Sequence, residues 1–141
     1  MKTKTLLLSI LTLLISVISF SQKANHLKKD NLVFLLRQTE HINQAIKTIE
    51  QLHGNQKTTL KSGKIVIIVC GEAVTSLTTP EAEAWVEKIS RHPNVSIIAC
   101  GLSLTKFNKT ENDLVKGIQY TENGFIKAFE LQKAGYLSVE L

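Results

Sequence analysis

Two cysteines, Cys70 and Cys100, are the residues of this 141-residue chain with the most chemistry to offer. Each closes an apolar run, and each is followed by glycine, as Cys70–Gly71 and Cys100–Gly101. A cysteine reacts as its thiolate, which attacks disulfide or sulfane sulfur. In open α/β sheets, ligands bind beyond the carboxyl ends of the strands, so both sulfurs are expected at that accessible rim. The two glycines let the chain turn there and let a reactant approach the backbone. If residues 102–107 are helical, their free N–H groups face Cys100 and favour its thiolate. Lys106 stands where it could help hold an anion. The competing reading is packing, because cysteine is often a small buried apolar residue. For Cys100 both readings stay open. For Cys70, on a wholly apolar strand, inert packing is favoured.

Other chemistries find little in the chain. The four histidines (His26, His41, His53 and His92) are scattered, no pair has metal-ligand spacing, and no C-x-x-C occurs, so no metal site is expected. No G-x-S-x-G or phosphate-loop spelling appears, and no cofactor is expected. Ser103-Leu104-Thr105-Lys106 spells S-x-x-K, but without its companion motifs in a chain this short it is chance. Glu72 shares the edge with Cys70 and reads as solvated surface. Trp85, Phe125, Phe129 and Tyr136 read as core or subunit contacts.

Strand-like and helix-like patterns alternate along the chain, which predicts βαβ units. Asn31–Leu36 is a short apolar strand. Thr39 can cap the following helix, where Ile42, Ala45, Ile46, Ile49 and Leu52 fall on one face and Gly54 ends it. Lys64–Cys70 is the strongest strand signal. Its β-branched residues are continuous, so helices should cover both sheet faces. Thr79–Pro80 predicts a cap and first turn, and Ala82, Trp85, Val86 and Ile89 form that helix's stripe. Val95–Cys100 is a third strand, 101–107 a short helix or turn, and Thr110-Glu111-Asn112-Asp113 resembles a capping box. A short strand over Gly117–Thr121, a turn at Asn123–Gly124, a helix over Phe125–Ala134 and a last strand over Tyr136–Leu141 complete the pattern. The expected fold is a three-layer α/β/α sandwich on a five-stranded, mainly parallel sheet. Strand order cannot be read. Were strands two and three neighbours, the Cα atoms of Cys70 and Cys100 would lie about 5 Å apart, within disulfide range.

The N-terminus follows a different logic. Lys2 and Lys4 precede an uncharged stretch from Leu6 to Phe20, and Ser19 and Ser21 suit a cut before Gln22. This is the pattern of a secretory signal over residues 1–21. It predicts one exported domain over 22–141, periplasmic or secreted, with no membrane span after cleavage. Without Lys2 and Lys4, the 17 basic residues fall to 15 against 12 acidic ones. So mild a balance gives no case for a nucleic-acid partner.

Several segments carry a family resemblance. Ala99-Cys100-Gly101, Gly117-Ile118-Gln119-Tyr120, Asn123-Gly124 and Leu131-Gln132-Lys133-Ala134-Gly135-Tyr136 occur in the order and spacing of the DsrE family. The strand–helix–strand half upstream fits as well, so the chain resembles an exported DsrE/DsrF-like protein over nearly its whole mature length. The resemblance implies a Rossmann-like domain that assembles into trimers or hexamers. It implies that Cys100 matches the cysteine carrying persulfide sulfur from a sulfane donor to a thiol-bearing partner protein, a sulfurtransferase-like role. Gly101, Cys70, Gly71 and Lys106 would surround it. Where many members carry His or Asn before the glycine, this chain has Cys70. Two other readings remain open: an oligomeric domain binding a small ligand or protein without catalysis, and a thiol–disulfide switch joining Cys70 and Cys100.

Overall fold

The computed structural model describes residues 29–54 and 57–141; the expected secretory signal over 1–21 lies outside them. The described chain runs β1 (Asp30–Leu36), α1 (Thr39–His53), β2 (Ser62–Val69), a 3₁₀ segment (Gly71–Thr78), α2 (Glu81–Ser90), β3 (Val95–Cys100), α3 (Gly101–Lys106), a 3₁₀ turn (Glu111–Asp113), β4 (Gln119–Thr121), α4 (Gly124–Lys133) and β5 (Leu137–Glu140). No helix among the described residues is long and apolar enough to cross a membrane.

All five strands pair in parallel, in the order β4-β3-β2-β1-β5. Parallel neighbours need long crossovers, and right-handed crossovers put successive helices on one face while the chain steps in one direction. Steps from β1 to β4 go one way, so α1, the 3₁₀ segment, α2 and α3 share a face. From β4 the chain returns across the sheet to the far edge, and α4 covers the other face on the way.

The strand alternation divides the core accordingly. Phe34, Leu36, Ile65, Ile67, Val69, Ile97 and Ala99 meet the apolar stripes of α1 and α2, with Trp85 filling between them. Trp85 donates its indole N–H to Asn43 Oδ1 at 2.9 Å, so its one polar atom is satisfied. Val33, Val66, Ile68, Cys70, Ile98 and Cys100 point the opposite way, under Ala128 of α4. The continuous apolar run of β2 thus has the cause expected for it: both faces are covered.

Local details depart from the pattern at the caps. Gln38, not Thr39, is the N-cap of α1, and its side chain makes no capping bond. Thr79 does not cap α2: its hydroxyl donates back to Ser76 O at 2.9 Å, closing the 3₁₀ segment that the sequence reading did not resolve. The capping box at Thr110–Asp113 forms, with both Thr110 N–H and Oγ1 bonded to the Asp113 carboxylate. Asn123–Gly124 is no free turn. Asn123 is the N-cap of α4, its Oδ1 accepting from Phe125 N at 3.0 Å and Ile126 N at 3.3 Å.

Candidate functional site

β2 and β3 lie side by side in register, Val69 opposite Ala99, so the two residues that follow, Cys70 and Cys100, are neighbours on the α4 face. Both thiols are free and both residues are fully buried. The open rim expected for Cys100 is therefore not there. The reason is the return crossover: α4 comes back over this face, and its first residue seats on the sulfurs.

Gly124 makes that seat possible. Its N–H donates to Cys100 Sγ at 3.2 Å. A Cβ there would stand 2.6 Å from Cys70 Sγ, and 3.0 Å from both Cys100 Cβ and Ile68 Cγ2. Only a residue without a side chain brings the helix this close. The first residues of a helix have N–H groups without intrahelical partners. In α4, Phe125 and Ile126 give theirs to the Asn123 side chain and Gly124 gives its to sulfur, while Lys127 N–H to Asn123 O is the first bond of the helix proper. The positive end of the α4 dipole thus bears on Cys100.

Ser103, in the first turn of α3, acts on Cys100 as well, its hydroxyl and amide lowering the thiol's pKa. Its Oγ also accepts from Gly71 N at 2.9 Å, tying the loop after β2 to the loop after β3. Gly71 holds φ +60°, a left-handed conformation that suits glycine. The two thiols consequently differ. Burial alone pushes the Cys100 thiol up, but hydrogen bonds from Gly124 N–H, the Ser103 hydroxyl and amide, and the Cys70 thiol outweigh it and hold Cys100 below the ordinary thiol value. Burial pushes the Cys70 thiol up to about 12, and the neighbouring Cys100 charge and hydrogen bond add to the rise. Of the two sulfurs, Cys100 is therefore the one on which a thiolate is favoured, and Cys70 the one that keeps its proton.

The other sequence candidates divide. Gly101 is buried under the ring and hydroxyl of Tyr120. Gly71 and Lys106 line a cavity at the carboxyl ends of the strands whose wall includes neither cysteine. Sequence reasoning missed Ser103, which it set aside with the S-x-x-K spelling, and Gly124, which it placed in a turn. Asparagine before a helical pattern was the available signal for a helix start. Nothing local announced that this start would land on a cysteine. Among the described residues, no group of three or more metal-ligating side chains exists.

The assembled geometry defines a doubly wound, all-parallel α/β domain with a buried pair of free cysteines at its strand ends. No family model and no curated protein matches the chain. Among the solved structures similar in fold are two proteins. One is a protein of unknown function, MTH1491, from Methanobacterium thermoautotrophicum, with TM-score 0.66, 16% identity, and coverage of 81% of this chain and 100% of that one. The other is a conserved protein of unknown function, BT1422, from Bacteroides thetaiotaomicron, with TM-score 0.56, 18% identity, and coverage of 79% and 95%.

Proposed function

We propose that this protein is an exported DsrE-like sulfur carrier with Cys100 as its carrier atom. The observation that carries the reading is the set of donors on Cys100 Sγ, which favours an anion in a fully buried place. In the first step, the Cys100 thiolate attacks the terminal sulfur of a persulfide or polysulfide donor. The S–S bond of the donor breaks, its remaining thiolate leaves with the electron pair, and Cys100 becomes Cys–S–S⁻. In the second step, a partner's thiolate attacks the outer sulfur, takes it as a persulfide, and Cys100 returns as thiolate. No oxidant or reductant is consumed. Because the sulfur is sealed, both steps require the Asn123–Gly124 corner to lift.

A thiol–disulfide switch is the second reading, favoured by the side-by-side placement of the two free thiols on the α4 face. There, Cys70 would have to attack a disulfide formed on Cys100. A thiol held up to about 12 is almost wholly protonated near neutral pH and attacks slowly. The pair is therefore better suited to holding one anion than to closing on itself.

The resemblance also proposes a homo-oligomer, and exposed apolar side chains support it. Phe125, Ile126 and Phe129 stand out from α4, and Leu137 and Val139 from the edge strand β5. Sedimentation of the purified chain, and N-terminal sequencing of protein recovered from outside the cytoplasm, test assembly and export.

The deciding experiment is mass spectrometry after exposure to polysulfide, with peptide mapping. A gain of one or more sulfur atoms on Cys100, transferable to a second thiol, is expected. Failure to form any adduct, with Cys100 unreactive to alkylation in the folded protein, overturns the carrier reading. A mass two hydrogens lighter, with Cys70 linked to Cys100, selects the switch.

A further inference from the structure

The buried pair leaves one feature of the strand ends unused. Where the sheet order turns back, between β1 and β5, a cavity of about 460 Å³ opens at the carboxyl ends of the strands. The cavity lies outside the carboxyl ends of β1, β2 and β5, the rim at which open parallel sheets bind ligands. The volume falls within the range of small-molecule sites.

Its lining is specific. Arg37 and Glu140, from the ends of β1 and β5, are both half exposed and face each other at 3.7 Å, too far for a hydrogen bond. Glu72 and Lys106 reach the cavity from the 3₁₀ segment and from α3, and neither side chain makes an ion pair with another described residue. His41, in the first turn of α1, forms part of the wall. Phe107 and Leu141 add apolar wall. The side-chain charges balance, two of each sign, so the site is not built for a simple anion. It offers a cation, an anion and an apolar surface to one occupant.

We propose that this cavity binds a small zwitterion of the α-amino-acid type. Lys106, with Arg37, receives the carboxylate. Glu72 receives the ammonium group. The ligand's side chain lies against Phe107 and Leu141. This site is separate from the sulfurs and stands whether or not Cys100 carries sulfur.

Calorimetric titration of the purified chain tests it, with L-leucine as the zwitterion, 4-methylpentanoate as its carboxylate-only analogue and 3-methylbutylamine as its amine-only analogue. Leucine is expected to bind saturably, one per chain, at least about tenfold tighter than either analogue, or about 1.4 kcal/mol. Lys106→Gln is expected to weaken leucine and the carboxylate but not the amine. Glu72→Gln is expected to weaken leucine and the amine but not the carboxylate. Lack of saturable leucine binding in the millimolar range overturns the proposal, as does an analogue that binds as tightly as leucine. Both side chains are on the surface, and the analogue series on the unsubstituted protein decides the matter even if a variant is unstable. None of these readouts involves sulfur chemistry, so this result and the polysulfide result are independent.

Discussion

The two faces of the sheet are built to different ends. One is covered by α1, the 3₁₀ segment, α2 and α3, and its core is branched aliphatics closed by a tryptophan whose only polar atom is satisfied. The other is covered by α4 alone, holds both cysteines, and leaves Phe125, Ile126 and Phe129 in solvent. The first face has the composition of a folding core. The second joins a thinner cover to an anion-holding pair, so local opening there costs less than opening the first face. A parallel sheet with one return crossover produces this asymmetry of necessity, since several helices fall on one side and one on the other.

The largest expected effect tests the packed face. Ile67→Ala removes a fully buried side chain between β1 and β3 and should cost about 4 kcal/mol in denaturant unfolding. An effect below about 1 kcal/mol would mean that the two faces are not so different.

Next comes Gly124→Ala. The added methyl would overlap Cys70 Sγ, so the helix start must move, at a cost of about 2 kcal/mol. It should also detach the Gly124 N–H from Cys100 and raise its pKa, which a pH profile of iodoacetamide alkylation reads. Lost stability with an unchanged profile would show that Gly124 serves packing alone.

The pH dependence of stability isolates Cys70. Its folded value is raised above the unfolded one, so its contribution is complete below the unfolded thiol value and is lost as pH rises toward about 12. In that window the unfolded chain has released a proton that the folded chain still binds, and stability falls with pH. Cys70→Val should therefore flatten the alkaline decline by an amount on the order of a few kcal/mol at most. Parallel curves for the two proteins would contradict the assignment.

Ser103→Ala is a milder test. It removes a group that holds the Cys100 thiol down, and the alkylation rate at neutral pH should drop roughly tenfold; Gly71 N–H loses its acceptor as well, at a cost of about 1 kcal/mol in unfolding. Smallest of all for the monomer is Phe129→Ser, expected within about 0.5 kcal/mol because the ring is exposed. Sedimentation should nevertheless show lighter particles if α4 forms a subunit contact.

Much of this fold was legible in one dimension. The unbroken β-branched run of Lys64–Cys70, the three-four spacing in α1 and α2, and the Cys–Gly strand ends placed five strands and their helices within a few residues of where they stand. Those features are local, because backbone periodicity and glycine punctuation act on neighbouring residues. The caps at Thr39 and Thr79 were misplaced because hydroxyls can satisfy more than one backbone group, and in the 3₁₀ segment they bond backward. Alone, the sequence determined an alternating α/β chain with two cysteines at strand ends. Only tertiary structure decided the strand order, the burial of Cys100 beneath α4, and the grouping of Arg37, His41, Glu72 and Lys106 around one cavity. These depend on which strands become neighbours and which face a crossover takes. Contacts between residues distant along the chain settle both, and no local pattern records them.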